Sequence, residues 1–158
     1  MDERVFIKGD TLYEHPILTI DYTTYDLKKE RDSIHLNFGN QAIMVYSLTS
    51  QDAKPWLYAY LIAMYHLFVS TVTDPEPKHL EFLWVRWLQQ DPSQLRGPNV
   101  SQYTHVSFTP HSGVPGEAFG FVDPSHIIRA CHLIPAFDLQ QTWDQLSPSM
   151  AQDVKGDW

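Results

Sequence analysis

Eight histidines, at positions 15, 35, 66, 79, 105, 111, 126 and 132, are the first residues of this chain that could bind a metal or move a proton. Common zinc sites gather ligands locally, which shows in sequence as His at i, i+2 or i, i+4, as CxxC, or as HExxH. None of these spacings occurs, and His105 and His111 stand six residues apart on a strand and its following loop. Each histidine is therefore assigned a structural or surface role, and no metal or cofactor is expected. Cys131 could act as a nucleophile only beside a base. Its neighbour His132 points to the opposite face of an extended chain, so Cys131 reads as a small buried hydrophobe. No serine sits in a GxSxG elbow, and PHSGVPG (110–116) is a turn-rich stretch, not a phosphate loop. No Asp/Glu pair lies in an apolar setting that would raise one pKa. The expected protein is not an enzyme; a hydrolase would need a His, an acid and a nucleophile brought into one cleft by the fold.

Ring chemistry remains. Tyr46, Trp56, Tyr58, Tyr60, Trp84 and Trp87 all fall in segments that read as strands. The negative faces of such rings can form a cage around a quaternary or methylated ammonium, or they can simply fill a core. The candidate ligand-binding residues are Tyr46, Trp56, Tyr58, Trp84 and Trp87.

The elements that must position these rings are short. Eleven prolines and seven glycines cut the 158 residues into pieces that favour strands and turns. The opening segment to His35 mixes β-formers with a mixed-sign charged run at 26–32, which reads as a solvated face. Residues 42–48 are β-rich. WLYAYLIAMYHLFVST (56–71) could be helix or buried strand; its Tyr, Ile, Val and Phe content favours a long, bent strand. TDPEPK (73–78) is a turn, and LEFLWVRWLQ (80–89) alternates, with Leu83, Val85 and Trp87 on one face and Phe82, Trp84 and Arg86 on the other. Together they predict a hairpin. A loop at 91–98, a strand at 100–108 and a second loop at 109–118 follow. Asp123 is placed to cap a helical turn opened by Pro124, and 129–135 closes the sheet. The predicted fold is mainly β, a bent barrel with short helices at its two ends. It forms a single domain over 1–158, with its core at about 21–137 and a polar extension at 138–158.

Eleven Lys and Arg against nineteen Asp and Glu leave a net charge of −8, with a pI near 5.3. Backbone binding to nucleic acid needs clustered cations, so direct DNA binding is disfavoured and a cationic partner such as a basic protein tail is favoured. The longest apolar stretch, Trp56 to Val69, is too short to span a bilayer. One cysteine and a charged N-terminus point to an intracellular location.

Two resemblances refine these expectations. DYTTYDLKKERDSI (21–34), KPWLYAYLIAMYHLFV (54–69), LEFLWVRWL (80–88) and AFGFVDPSHIIRACHLIPAF (118–137) resemble, in the same order, the conserved region of Plavaka-type transposase proteins of mushroom-forming fungi. No transposase acidic triad maps onto these residues, so nuclease activity is not implied. KPWLYAYLI, WVRWL and HIIRACHLI also resemble, in order, strands of a bromo-adjacent homology (BAH) domain. Such domains are barrel-like chromatin modules, and some hold methyl-lysine in an aromatic cage. The resemblance implies Trp87 as a cage residue, with Tyr46, Trp56 and Tyr58 as looser matches. Tyr60 stands where that family has an arginine, and Gln89-Gln90 where it has Arg-Pro. The expected function is non-catalytic recognition of a basic peptide, such as a histone tail, by a nuclear, transposon-related protein. A self-associating structural module and a DNA-binding accessory domain are the alternatives.

Overall fold

The computed structural model describes residues 4–38, 41–47, 56–90, 104–110 and 118–134. Most of them lie in ten antiparallel strands: β1 (Val5–Ile7), β2 (Tyr13–Glu14), β3 (Ile17–Thr23), β4 (Lys29–His35), β5 (Ala42–Tyr46), β6 (Trp56–Thr71), β7 (Lys78–Gln90), β8 (Val106–Phe108), β9 (Phe119–Val122) and β10 (Ile127–Cys131).

The longest apolar run is a strand, as its β-branched and aromatic content predicts. β6 pairs with β7 from Tyr58↔Leu88 to Val69↔Lys78, making one long hairpin. A strand of sixteen residues cannot stay straight, and the register slips between Leu61 and Ala63, where Ile62 is the extra residue of a bulge. The connection at 72–77 carries Pro75 and Pro77, which have no N–H to give a ladder. It is held by Thr71, whose N–H donates to the Asp74 carbonyl at 2.8 Å and whose Oγ1 accepts from the Asp74 N–H at 3.0 Å.

Both outer edges of this hairpin are occupied. Along β6 lie β5 (Tyr46↔Trp56), β2 (Tyr13↔His66) and β1 (Ile7↔Val69); along β7 lie β9 (Leu83↔Val122) and β8 (Leu88↔Phe108). β10 pairs with β5, giving the order β10-β5-β6-β7-β8. Among the described residues no pairing joins β8 to β10, so this order does not close. The expected helix after Pro124 is a 3-10 turn at Pro124–His126. Asp123 caps it by accepting from the Ser125 N–H at 2.8 Å. A second 3-10 turn, Lys8–Asp10, links β1 to β2. No helix of the described residues is long and apolar enough to cross a membrane. The loop read at 91–98 and the polar extension at 138–158 lie outside the described residues.

Strand alternation makes one face of the sheet the core. Ile43, Val45, Ala59, Leu61, Met64, Leu83, Val85 and Val122 are buried there and covered by the separate β3–β4 hairpin through Ile20 and Ile34. The charged run has a place in this hairpin. Residues 29–32 belong to β4, whose Arg31 and Glu30 point to alternate faces opposite Asp21 and Tyr22 of β3. Asp32 fastens the hairpin to the sheet by accepting from the Ala130 N–H at 3.1 Å, and the Arg129 guanidinium lies 5.1 Å from the Tyr22 ring centre. Because Ile34 is 2% exposed, Ile34→Ala should destabilise the protein by about 2–5 kcal/mol in urea unfolding. Tyr25→Ala, at a fully exposed position of the hairpin turn, should stay within about 0.5 kcal/mol of the parent.

Candidate functional site

The face of the sheet opposite the β3–β4 hairpin carries the rings. Residues directly opposed in an antiparallel ladder share a face, so the pairs Tyr46↔Trp56, Tyr58↔Leu88, Tyr60↔Arg86, Tyr65↔Phe82 and Trp84↔Phe121 all lie there. Arg86 is the central cation. It is 1% exposed, and its guanidinium sits 4.5 Å from the centre of Phe108 and 5.4 Å from that of Phe119. Tyr60, 3% exposed, meets Phe108 edge-on at 6.0 Å. Burial lowers the Arg86 pKa and raises that of the Tyr60 phenol, each shift favouring the uncharged form. An arginine nonetheless stays protonated, so this face already holds one guanidinium against aromatic faces, a geometry worth about 2 kcal/mol when desolvated.

Further along, Trp84 tilts against Phe119 at 6.2 Å, and Phe82 bridges Tyr65 at 5.6 Å and Phe121 at 5.5 Å. Phe121 is 73% exposed.

The five sequence-predicted cage residues do not share one pocket. Tyr46, Trp56 and Tyr58 lie together, partly exposed, at the start of β6 and the end of β5. Among the described residues none of the three is in a ring–ring contact; Tyr46 is exposed, and Trp56 and Tyr58 are partly buried. Trp84, opposite Ala63, is five β6 positions beyond Tyr58, about 16 Å along the strand. Trp87 is on the other face, packed with the core opposite Ala59. There it leans on Gly120, where an added Cβ would lie 2.7 Å from the indole Nε1. The reason is the strand period of two: Trp84 and Trp87 differ by an odd number of residues, so no regular strand puts both on one side.

Two other candidates were open from the sequence. Cys131 is partly buried, and that burial pushes its thiol pKa up, with Asp32 adding to the rise and Arg129 opposing it. Such a thiol is a poor nucleophile. The charged hairpin borders an open groove of about 510 Å³ lined by Asp21, Tyr22, Thr23, Lys29, Glu30 and Arg31. Four of its polar side chains are paired across the strands: Arg31 Nε donates to Asp21 at 2.6 Å and the Tyr22 hydroxyl donates to Glu30 at 2.9 Å.

No residue spacing marks the partners of Arg86. Phe108 and Phe119 reach it from β8 and β9, and only the ladder register shows this. Nor does any spacing mark the meeting of His15, His66 and His79. Their spacings of 51 and 13 residues match no local ligand pattern, yet β2, β6 and β7 bring them side by side.

No protein-family model, curated protein or solved structure matches this chain.

Gly120→Ala should destabilise the protein by about 1–3 kcal/mol in urea unfolding, because the new methyl displaces the Trp87 indole from its seat on β9. Unchanged stability would mean that Trp87 does not pack there.

Proposed function

We propose that this protein is a non-catalytic recognition module of BAH-like, barrel-related type in a transposon-derived nuclear protein, and that it binds a basic peptide such as a histone tail, methylated or not. The carrying observation is the group Tyr46, Trp56 and Tyr58: three partly exposed rings on one face, free of ring–ring contacts among the described residues, on a body of net charge −8. Aromatic faces attract ammonium and guanidinium groups, and an acidic surface raises the encounter rate of a basic chain. Arg86 between Phe108 and Phe119 supports the reading, since it is the same recognition chemistry performed within the chain. The segments resembling Plavaka-type proteins and BAH strands supply the chromatin context. Within the group, Met44 and Leu88 flank Tyr58, giving an apolar floor suited to the methyls of a modified lysine.

Calorimetric titration with unmodified and trimethyl-lysine histone peptides tests this. The proposal predicts binding that weakens as salt rises. It also predicts an affinity loss of about two- to fivefold in Tyr46→Ala, the size of an exposed cation–π contact. Tyr25→Ala, on the β3–β4 turn, should bind as the parent does. Absence of heat with every peptide, or an unchanged affinity in Tyr46→Ala, would overturn it.

A self-association module is the second reading. It draws on exposed apolar side chains, above all Val5, Phe6 and Ile7 of β1 and Phe121 of β9. A stable oligomer in light scattering, dissociated by Phe6→Ser, would favour it over peptide recognition.

A further inference from the structure

The core face of the β6–β7 hairpin runs, beyond Met64 and Leu83, into a patch of histidines and rings. Tyr13 of β2 stacks flat on His66 of β6, with centroids 4.7 Å apart and planes within 6°. On the same His66 ring lie His15, just after β2, and His79 of β7, each with its centroid 4.8 Å away. Phe68 meets both His66 and His79. His15 Nε2 and His66 Nδ1 stand 2.5 Å apart, within hydrogen-bond reach. That contact is an N–H···N bond, and its chemistry is restrictive: one nitrogen must carry the proton and the other must not. His15 meets His66 nitrogen to nitrogen and His79 is tilted 44° to the same ring; among the described residues no group of three or more His, Cys, Asp or Glu is placed to hold a metal ion, and the arrangement suits proton sharing.

What these rings join is a lightly paired part of the sheet. β1 and β2 pair with β6 over three and two residues, and Val5, Phe6 and Ile7 are each about half exposed. Beyond those pairs, the His15 N–H donates to the Met64 carbonyl at 2.9 Å. Elements with so few buried contacts open at small free energy.

We propose that the His15–His66–His79 stack is a proton-operated latch that fastens the N-terminal strap, residues 5–15, to the β6–β7 hairpin near neutral pH and releases it on mild acidification. When both His15 and His66 are imidazolium, each facing nitrogen bears a proton, the bond is lost, and like charges meet at stacking distance. His79 adds a third positive charge. The titratable groups facing His66 are Tyr13 and His15 from the strap, and His79 and Glu81 from β7; Lys8 and Asp10, in the turn packed on β6, carry opposite charges. Glu81, opposite His66 in the register and 3.8 Å from His79, is the one carboxylate of the cluster that opposes the effect.

Loss of water around the ring, then repulsion from His15 and His79, holds the His66 pKa below its ordinary value. A histidine with a folded pKa below its unfolded one binds fewer protons when folded. Its contribution to stability is therefore intact near neutral pH and is lost as the pH falls from about 6.5 through the folded pKa.

Amide hydrogen exchange on the whole chain, with intrinsic exchange chemistry divided out, tests the latch. From about pH 7.5 to about pH 5, protection of β1 and β2 amides should fall about tenfold or more, while Ile43 and Ala59 in the centre of the sheet hold their protection. His66→Phe keeps a ring in the stack without a titrating group, and His15→Gln removes the imidazole pair; each should flatten the strap's pH profile. Constant strap protection across the range would overturn the proposal. So would an equal loss at Ile43 and Ala59, or an undiminished pH dependence in both variants.

Discussion

The ladder between β6 and β7 is the constraint on which everything else in this molecule rests. It runs for most of both strands, and every other strand of the main sheet attaches to one of its two edges or, through β10, to β5. The bulge at Ile62 lets so long a pair bend, and it also resets the phase of β6: Ala59 and Leu61 face the core before it, Met64 after it. Without that extra residue one half of the strand would turn its apolar side to the wrong face.

From this single register follow two faces with different chemistry. One is aliphatic and sealed by Ile20 and Ile34 of the β3–β4 hairpin, with Trp87 at its margin. The other is aromatic and encloses a guanidinium. Burying a cation requires that something replace its water, and rings on β8 and β9 contribute to that around Arg86. The proposed recognition surface, Tyr46 with Trp56 and Tyr58, is the exposed continuation of this second face; the histidine stack is the continuation of the first. Both lie at margins of the sheet as the described residues define it, and such margins are where a sheet can exchange internal contacts for external ones.

Much of the architecture was legible in the residues because periodicity of two is a strong signal in this chain. The 80–89 alternation places Leu83, Val85 and Trp87 against Phe82, Trp84 and Arg86 as found, and the Asp123-Pro124 pair marks its turn. Strand ends were less so: the strand read over 129–135 spans Ile127–Cys131, and only 106–108 of the run 100–108 are strand among the described residues. β1, β2 and β9 were not legible at all. They are two to four residues long, too short to show a period, and they exist because β6 and β7 offer edges to pair with. The candidate site was half legible. Alternation along 80–89 already separates Trp84 from Trp87, whereas the placement of Tyr46 and Tyr58 beside Trp56 depends on the β5–β6 register, which composition does not announce.

The central claim is that the two faces separate Trp56 and Trp84 from Trp87, with Trp56 proposed to meet a cation and Trp87 packed with the core. Fluorine NMR on protein carrying 5-fluorotryptophan, titrated with tetramethylammonium and with a trimethyl-lysine peptide, addresses it most directly. With resonances assigned by single Trp→Phe substitutions, the account predicts that the Trp56 signal moves progressively while Trp87 stays fixed. Movement of Trp87 equal to that of Trp56, or no movement of either, would contradict it.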